Sequence, residues 1–149
     1  MSKRGFTFIE ILVVFVVMGI VVAFSIPRLR DAIQKTNVRG AKVAIGNLMI
    51  KARAVAVARG CTATVAFTSG ATGTVSITVC NVNGTGSQVL GGVDSVAARY
   101  SVTMTPSASS LQYDARGLSV GYSTLTVLLK SNSFSDSVVI NQLGKVVRQ

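Results

Sequence analysis

The sequence predicts an α+β fold, one long N-terminal helix followed by an antiparallel β-sheet region. Three observations carry it. An apolar run, Phe6–Ile26, passes into an amphipathic stretch ending near Arg59, with Pro27 the one interruption between them. From Cys61 onward the apolar residues recur at every second position. Val, Thr and Ser dominate that second part, as suits strands with one solvated face.

The head of the chain carries Lys3 and Arg4 directly before the apolar run. Positive charge there favours keeping that end in the cytoplasm and sending the rest outward. As a helix the run is about 32 Å long, close to the hydrocarbon thickness of a bilayer. A secretory signal has a shorter apolar core followed by a small-x-small cleavage site. Here "SIPRLRD" follows, so the run is expected to stay on the mature chain as a single membrane pass.

Beyond Pro27, Ala, Leu, Lys, Arg and Ile favour helix through Arg59. At 100° per residue, Ile33, Ala41, Ala44, Ile45, Leu48, Ala52 and Val55 fall in one sector about 120° wide, the predicted core face. Arg28, Lys35, Arg39, Lys42 and Arg53 cluster within about 60° on another side. Pro27 is expected to bend the helix and Gly60 to end it.

"ATVAF" (63–67) and "TVSITV" (74–79) alternate around the turn residues "TSGATG" and predict a hairpin. The Gly/Ser/Asn-rich stretch 81–92 reads as loop. "RYSVTM" (99–104), "LQYD" (111–114), "TLTVLLK" (124–130) and "DSVVIN" (136–141) read as further strands, with "SNSF" a hairpin turn and "GKVVRQ" a last short strand. In "YDARG", Asp114 is expected to bond nearby backbone in a turn, with Gly117 supplying a positive φ.

With no His and only two Cys, histidine catalysis and a protein-built metal site are not expected, and no cofactor is implied. The five acids lie apart in sequence, with no pair at helical spacing for acid–base work, so an enzyme is not expected. Cys61 and Cys80 form a disulfide if the domain lies outside the cytoplasm, or stay as two buried thiols if it does not. Direct cross-strand pairing of the two would put the hairpin's apolar faces on opposite sides. Placing Cys61 at the helix end removes that conflict.

The N-terminus is the most specific feature. A short basic leader ends in Gly5; Phe6 follows, then Glu10 inside the apolar run, then Pro27 after it. "RGFTFIEILVV" resembles the processing site of type IV pilins and type II secretion pseudopilins. The resemblance implies a pilin-like fold and cleavage after Gly5 by a prepilin peptidase, with N-methylation of the new terminus at Phe6. It further implies that Glu10 pairs with the Phe6 amine of a neighbouring subunit during assembly. A lone acid in lipid costs about 2.5–3.5 kcal/mol at mid-helix and less near the end, so a partner repays its presence. The organisation that follows is a leader (1–5), a transmembrane or filament-core helix (6–26) and an exported domain (27–149), itself helix (27–59) then sheet (61–149).

"KARAVAVARGCTATVAF" (51–67), "LQYDARGLS" (111–119) and "VVINQLGKVV" (138–147) resemble minor pilins of the GspH/FimT type. The resemblance implies a minor pilin that sits first in the bacterial inner membrane, N-terminus cytoplasmic, and then in a cell-surface filament with other pilin subunits. The alternatives are a minor pseudopilin of a type II secretion system and a membrane-anchored binding module that never assembles. The net charge is +10. Its basic residues serve either a solvated, filament-packing or lipid-headgroup face, or DNA. FimT-type pilins are associated with DNA capture through a basic Gly-Arg-x-Arg stretch. "GKVVR" corresponds to it, with Lys145 and Arg148 the candidate contacts, but it departs twice: Lys replaces the first Arg, and one extra residue precedes the second. On a strand the odd spacing points the two side chains to opposite faces. Any DNA contact is therefore expected to be non-specific and backbone-directed.

Overall fold

The computed structural model describes residues 7–81, 86–120 and 124–147. The elements run α1 (Phe8–Arg59), β1 (Ala63–Phe67), β2 (Val75–Cys80), β3 (Ser87–Asp94), α2 (Val96–Arg99), β4 (Thr103–Pro106), β5 (Ser110–Tyr113), β6 (Leu125–Ser131), β7 (Phe134–Ile140) and β8 (Val146–Val147). The chain divides into two compact units, one ending at Ile33 and the other spanning Gln34–Gln149.

In the first unit α1 is exposed, and it contains a stretch long and apolar enough to cross a membrane. Ser25 folds its hydroxyl back onto the Val21 carbonyl at 2.8 Å, which satisfies a polar group in an apolar setting. Pro27 lies inside the helix, where it removes one N–H from the ladder.

In the second unit the rest of α1 covers the core with Val38, Ala41, Ile45, Met49, Ala52 and Ala56, all buried. The buried stripe is turned by about 60° from the predicted one. Ala44, Leu48 and Val55 flank it half-buried, and Ile33, placed on the core face from the sequence, is 51% exposed and belongs to the first unit. Where α1 ends, Gly60 donates to Val57 and Cys61 to Ala56, both at 3.2 Å, a Schellman cap that turns the chain toward β1.

Two four-stranded antiparallel sheets form, ordered β3-β2-β1-β5 and β4-β6-β7-β8, where the sequence pattern indicates only one. Period-two alternation reports a strand's faces but not its sheet, and the chain changes sheet twice around β5. The β1–β2 hairpin pairs Val65 with Ile77, so Ala63, Val65, Phe67, Val75, Ile77 and Val79 share the buried face. The loop predicted over 81–92 is corrected: β3 occupies Ser87–Asp94 and pairs with β2 through an irregular register near Ser76. Its side chains are mostly exposed, so the ladder hydrogen bonds rather than an apolar face hold it, and composition alone conceals it. The strand predicted at 99–104 is also corrected. Residues 96–99 form the short helix α2, which buries Val96 and Ala97, and the strand starts only at Thr103. Gly40 of α1 leaves room for the Tyr100 ring that follows α2; a Cβ there would come within 2.7 Å of it.

Cys61 and Cys80 are joined by a disulfide, their Cα atoms 6.3 Å apart. Cys61 lies in the cap of α1, outside β1, which resolves the face conflict the hairpin otherwise poses. Arg59 Nη1 donates to the Cys80 carbonyl at 2.7 Å, a second tie between the helix end and β2.

Candidate functional site

Gly5 and Phe6, with Lys3 and Arg4, lie outside the described residues. The description begins with Thr7, which precedes α1 as its N-cap. Its hydroxyl accepts from the Glu10 amide at 3.3 Å, and its carbonyl accepts from Glu10 and Ile11. "TFIE" therefore has the spacing of a capping box, a local role for Thr7. Glu10 occupies the first turn, exposed among exposed Ile11, Leu12, Val14 and Phe15. A carboxylate there also meets the positive end of the helix dipole.

The second site is on the globular unit. Arg39, Lys42 and Arg53 of α1 line an open cleft of about 700 Å³, together with Asp136 of β7 and Lys145. Val43, Ile50, Phe134 and Val146 supply apolar walls. Of the basic face read from the sequence, Lys35 is not in the lining and Arg28 belongs to the first unit. Lys42 Nζ meets Asp136 Oδ2 at 2.9 Å. Partial burial pushes the Asp136 carboxyl up, but the Lys42 hydrogen bond, the Ser137 amide and the charges of Lys42 and Arg39 together hold it below the usual carboxylate range.

Lys145 is placed by a tight turn. Asn141 Oδ1 accepts from the Leu143 amide at 3.1 Å and the Lys145 amide at 2.8 Å, and Gly144 donates to the Asn141 carbonyl at 2.8 Å. Gly144 has φ +73°, and a Cβ at this position would overlap the Tyr113 ring. Tyr113 is fully buried and donates its hydroxyl to the Gly144 carbonyl at 2.8 Å. The glycine before Lys145 thus has a packing reason to be there. Lys145 stands in an ordered turn before β8, and Arg148 lies outside the described residues. No local sequence signal links Tyr113 to Gly144 or Lys42 to Asp136; both pairs meet only through the fold.

Burial pushes the Tyr113 hydroxyl up to about 12, against the opposing pull of the Arg53 charge. Its folded-state value is raised, so the stabilisation is complete below the unfolded value near 10 and is lost as pH rises toward 12. Thermal melts of the chain are expected to lose on the order of 2–3 kcal/mol across that interval. Tyr113→Phe should lack that component of the alkaline loss, and equal slopes in the two proteins would contradict the assignment.

"YDARG" is structural in the described geometry. Asp114 Oδ1 accepts from the Arg116 and Leu118 amides at 2.9 and 2.8 Å, Oδ2 meets Arg116 Nε at 3.0 Å, and Gly117 has φ +77°. The Leu118 amide leads the groups that keep the Asp114 carboxyl below its ordinary range.

Residues 1–26 match the model of the prokaryotic N-terminal methylation motif. Among solved structures, the chain is similar to the type IV minor pilin FimU of Pseudomonas aeruginosa strain PAO1 in two crystal forms. One gives a TM-score of 0.62 at 15% identity, covering 77% of this chain and 90% of that one. The other gives 0.57 at 16% identity, covering 73% and 90%. The chain has a pilin-like fold. No curated protein matches the sequence. The pilin-like fold here is the long helix with its two antiparallel sheets, and residues 8–26 of the motif lie in the apolar part of that helix.

Proposed function

We propose that the chain is a minor type IV pilin, a low-copy structural subunit of a pilus. The observation that carries this reading is the methylation motif leading into an exposed apolar stretch of α1, residues 8–26, whose single acid is Glu10 in the first turn. Cleavage after Gly5 leaves a cationic amine at Phe6, and Glu10 attracts the corresponding amine of a neighbour as the helix leaves the bilayer for the filament. The low dielectric of a filament core strengthens that attraction, offset in part by desolvation. Pro27 gives the helix a place to bend during that passage. Other pilin subunits and a prepilin peptidase are the implied partners. The precursor is an inner-membrane protein with a cytoplasmic N-terminus.

Shearing filaments from cells and analysing them by mass spectrometry tests this reading. The expected filament-bound chain begins at methylated Phe6, and Glu10→Ala is expected to be absent from the sheared fraction while its precursor is still cleaved. Normal incorporation of Glu10→Ala would falsify the pairing role. A type II secretion defect without a pilus defect on deletion supports the pseudopilin alternative. A chain that stays uncleaved in the membrane supports the non-assembling module.

A second reading adds non-specific DNA contact, supported by the meeting of Lys145 with Arg39 and Arg53 at one cleft. Lys contacts phosphate as a point charge without the guanidinium fork. The full chain in neutral detergent should then shift duplex DNA at low salt and release it steeply as salt rises. Lys145→Ala with Arg148→Ala should weaken the shift. A shift indifferent to both changes removes the C-terminal site.

A further inference from the structure

The cleft lined by Arg39, Arg53 and Lys145 differs from a plain basic surface because its walls are apolar. Val43 and Ile50 are 53% and 64% exposed, beside Phe134 and Val146. Among the described residues, the salt bridges join Lys42 to Asp136, Arg99 to Asp94 and Arg116 to Asp114, so Arg39, Arg53 and Lys145 take part in none. Such a surface favours a ligand that offers apolar groups to the walls and carboxylates to the rim. Duplex DNA brings the charge but no apolar side chain to fill the cleft. The apolar line also continues beyond the cleft to Val57, which is 51% exposed, so Val43, Ile50 and Val57 recur every seven residues along α1. That length suits a polypeptide better than a compact small molecule.

A second copy of the chain fits poorly. Residues 34–149 contain eleven Lys and Arg but only three Asp, and all three Asp are already ion-paired. Two such units brought together repel, and the chain's two other acids, Glu10 and Asp31, belong to the N-terminal unit.

We propose that the cleft docks an acidic polypeptide segment of a different protein. Its apolar side chains rest on Val43, Ile50 and Phe134, and its carboxylates meet Arg39, Arg53 and Lys145. The partner is then defined by chemistry: an excess of Asp and Glu around exposed aliphatic or aromatic residues. This docking goes beyond the filament reading and does not require it.

A photo-cross-linking residue placed at Val43 or at Ile50 of the full chain, in cells that make it, tests the proposal. The cross-linked segment is read by mass spectrometry, and capture of a protein alone does not count. The expected segment belongs to another protein and is net acidic. Its yield should fall at least fivefold with Arg39→Glu and Lys145→Glu together, while cross-links from a residue placed at the exposed Val89 stay unchanged. Where the double reversal disturbs folding, Ile50→Glu with the cross-linker at Val43 makes the same test at one exposed position. The proposal is overturned by cross-links to a second copy, to lipid, to DNA or to a segment without acidic excess, by no cross-link, or by a yield indifferent to the reversals. Sheared filaments from the same cells separate the two readings. The chain in filaments without an acidic cross-link defeats the docking alone, and an acidic cross-link without incorporation defeats the filament reading alone.

Discussion

Tyr113→Ala is expected to destabilise the globular unit by about 3–5 kcal/mol, the range for removing a buried aromatic side chain. Tyr113 is fully buried on β5, its hydroxyl bonded to the Gly144 carbonyl and 3.7 Å from the Met49 sulfur. The loss combines an empty volume beside α1 with a carbonyl left unpaired. Tyr113→Phe keeps the ring and loses only the hydroxyl, so about 1–3 kcal/mol is expected from it. Gly144→Ala provides the converse. Its Cβ would overlap the Tyr113 ring, and its φ of +73° is strained for any L side chain. In the Tyr113→Ala background the overlap disappears and only the backbone strain remains, so the two changes should be strongly non-additive. Urea unfolding of the four proteins measures the coupling. Additive costs would show that the ring and the turn do not depend on each other.

Removing the Cys61–Cys80 bridge is expected to cost about 3 kcal/mol, the chain-entropy value for a closed loop of this size. For a unit of this length that corresponds to a fall in Tm on the order of 10 °C. The bridge ties the cap of α1 to the end of β2, so its loss frees the start of the first hairpin from the helix that covers it. The Arg59 bond to the Cys80 carbonyl remains, and the change is therefore expected to loosen the fold without abolishing it. Calorimetry of Cys61→Ser with Cys80→Ser should match the reduced natural chain, with both below the oxidised one. An oxidised chain melting with the reduced one would leave the bridge without a stabilising role.

The long helix, the β1–β2 hairpin and the β6–β7 hairpin were legible because each has a period that one local stretch satisfies by itself. β3 was not, since Gly91 and Gly92 and its polar side chains carry no strand signal and only pairing with β2 makes it one. The division into two sheets was hidden for a related reason: strand order is a long-range property. At the site, Glu10 was conspicuous because charge in an apolar run is costly. The cleft was half visible. A 3.6-residue period places Arg39, Lys42 and Arg53 on one side of α1, but nothing local brings Asp136 or Lys145 across to meet them. Ile33 lies outside the buried stripe, which starts only at Val38 and is centred on Ile45, with Leu48 and Val55 at its margin.

The ring that closes the core at Tyr113 also fixes the backbone that presents Lys145. Interior and exterior are therefore not free to drift separately during evolution. A lineage that exchanges Tyr113 or Gly144 for reasons of packing moves a surface cation at the same time, and one that needs a different cation position must first find another way to fill the interior. The position of Lys145 is inherited together with the core.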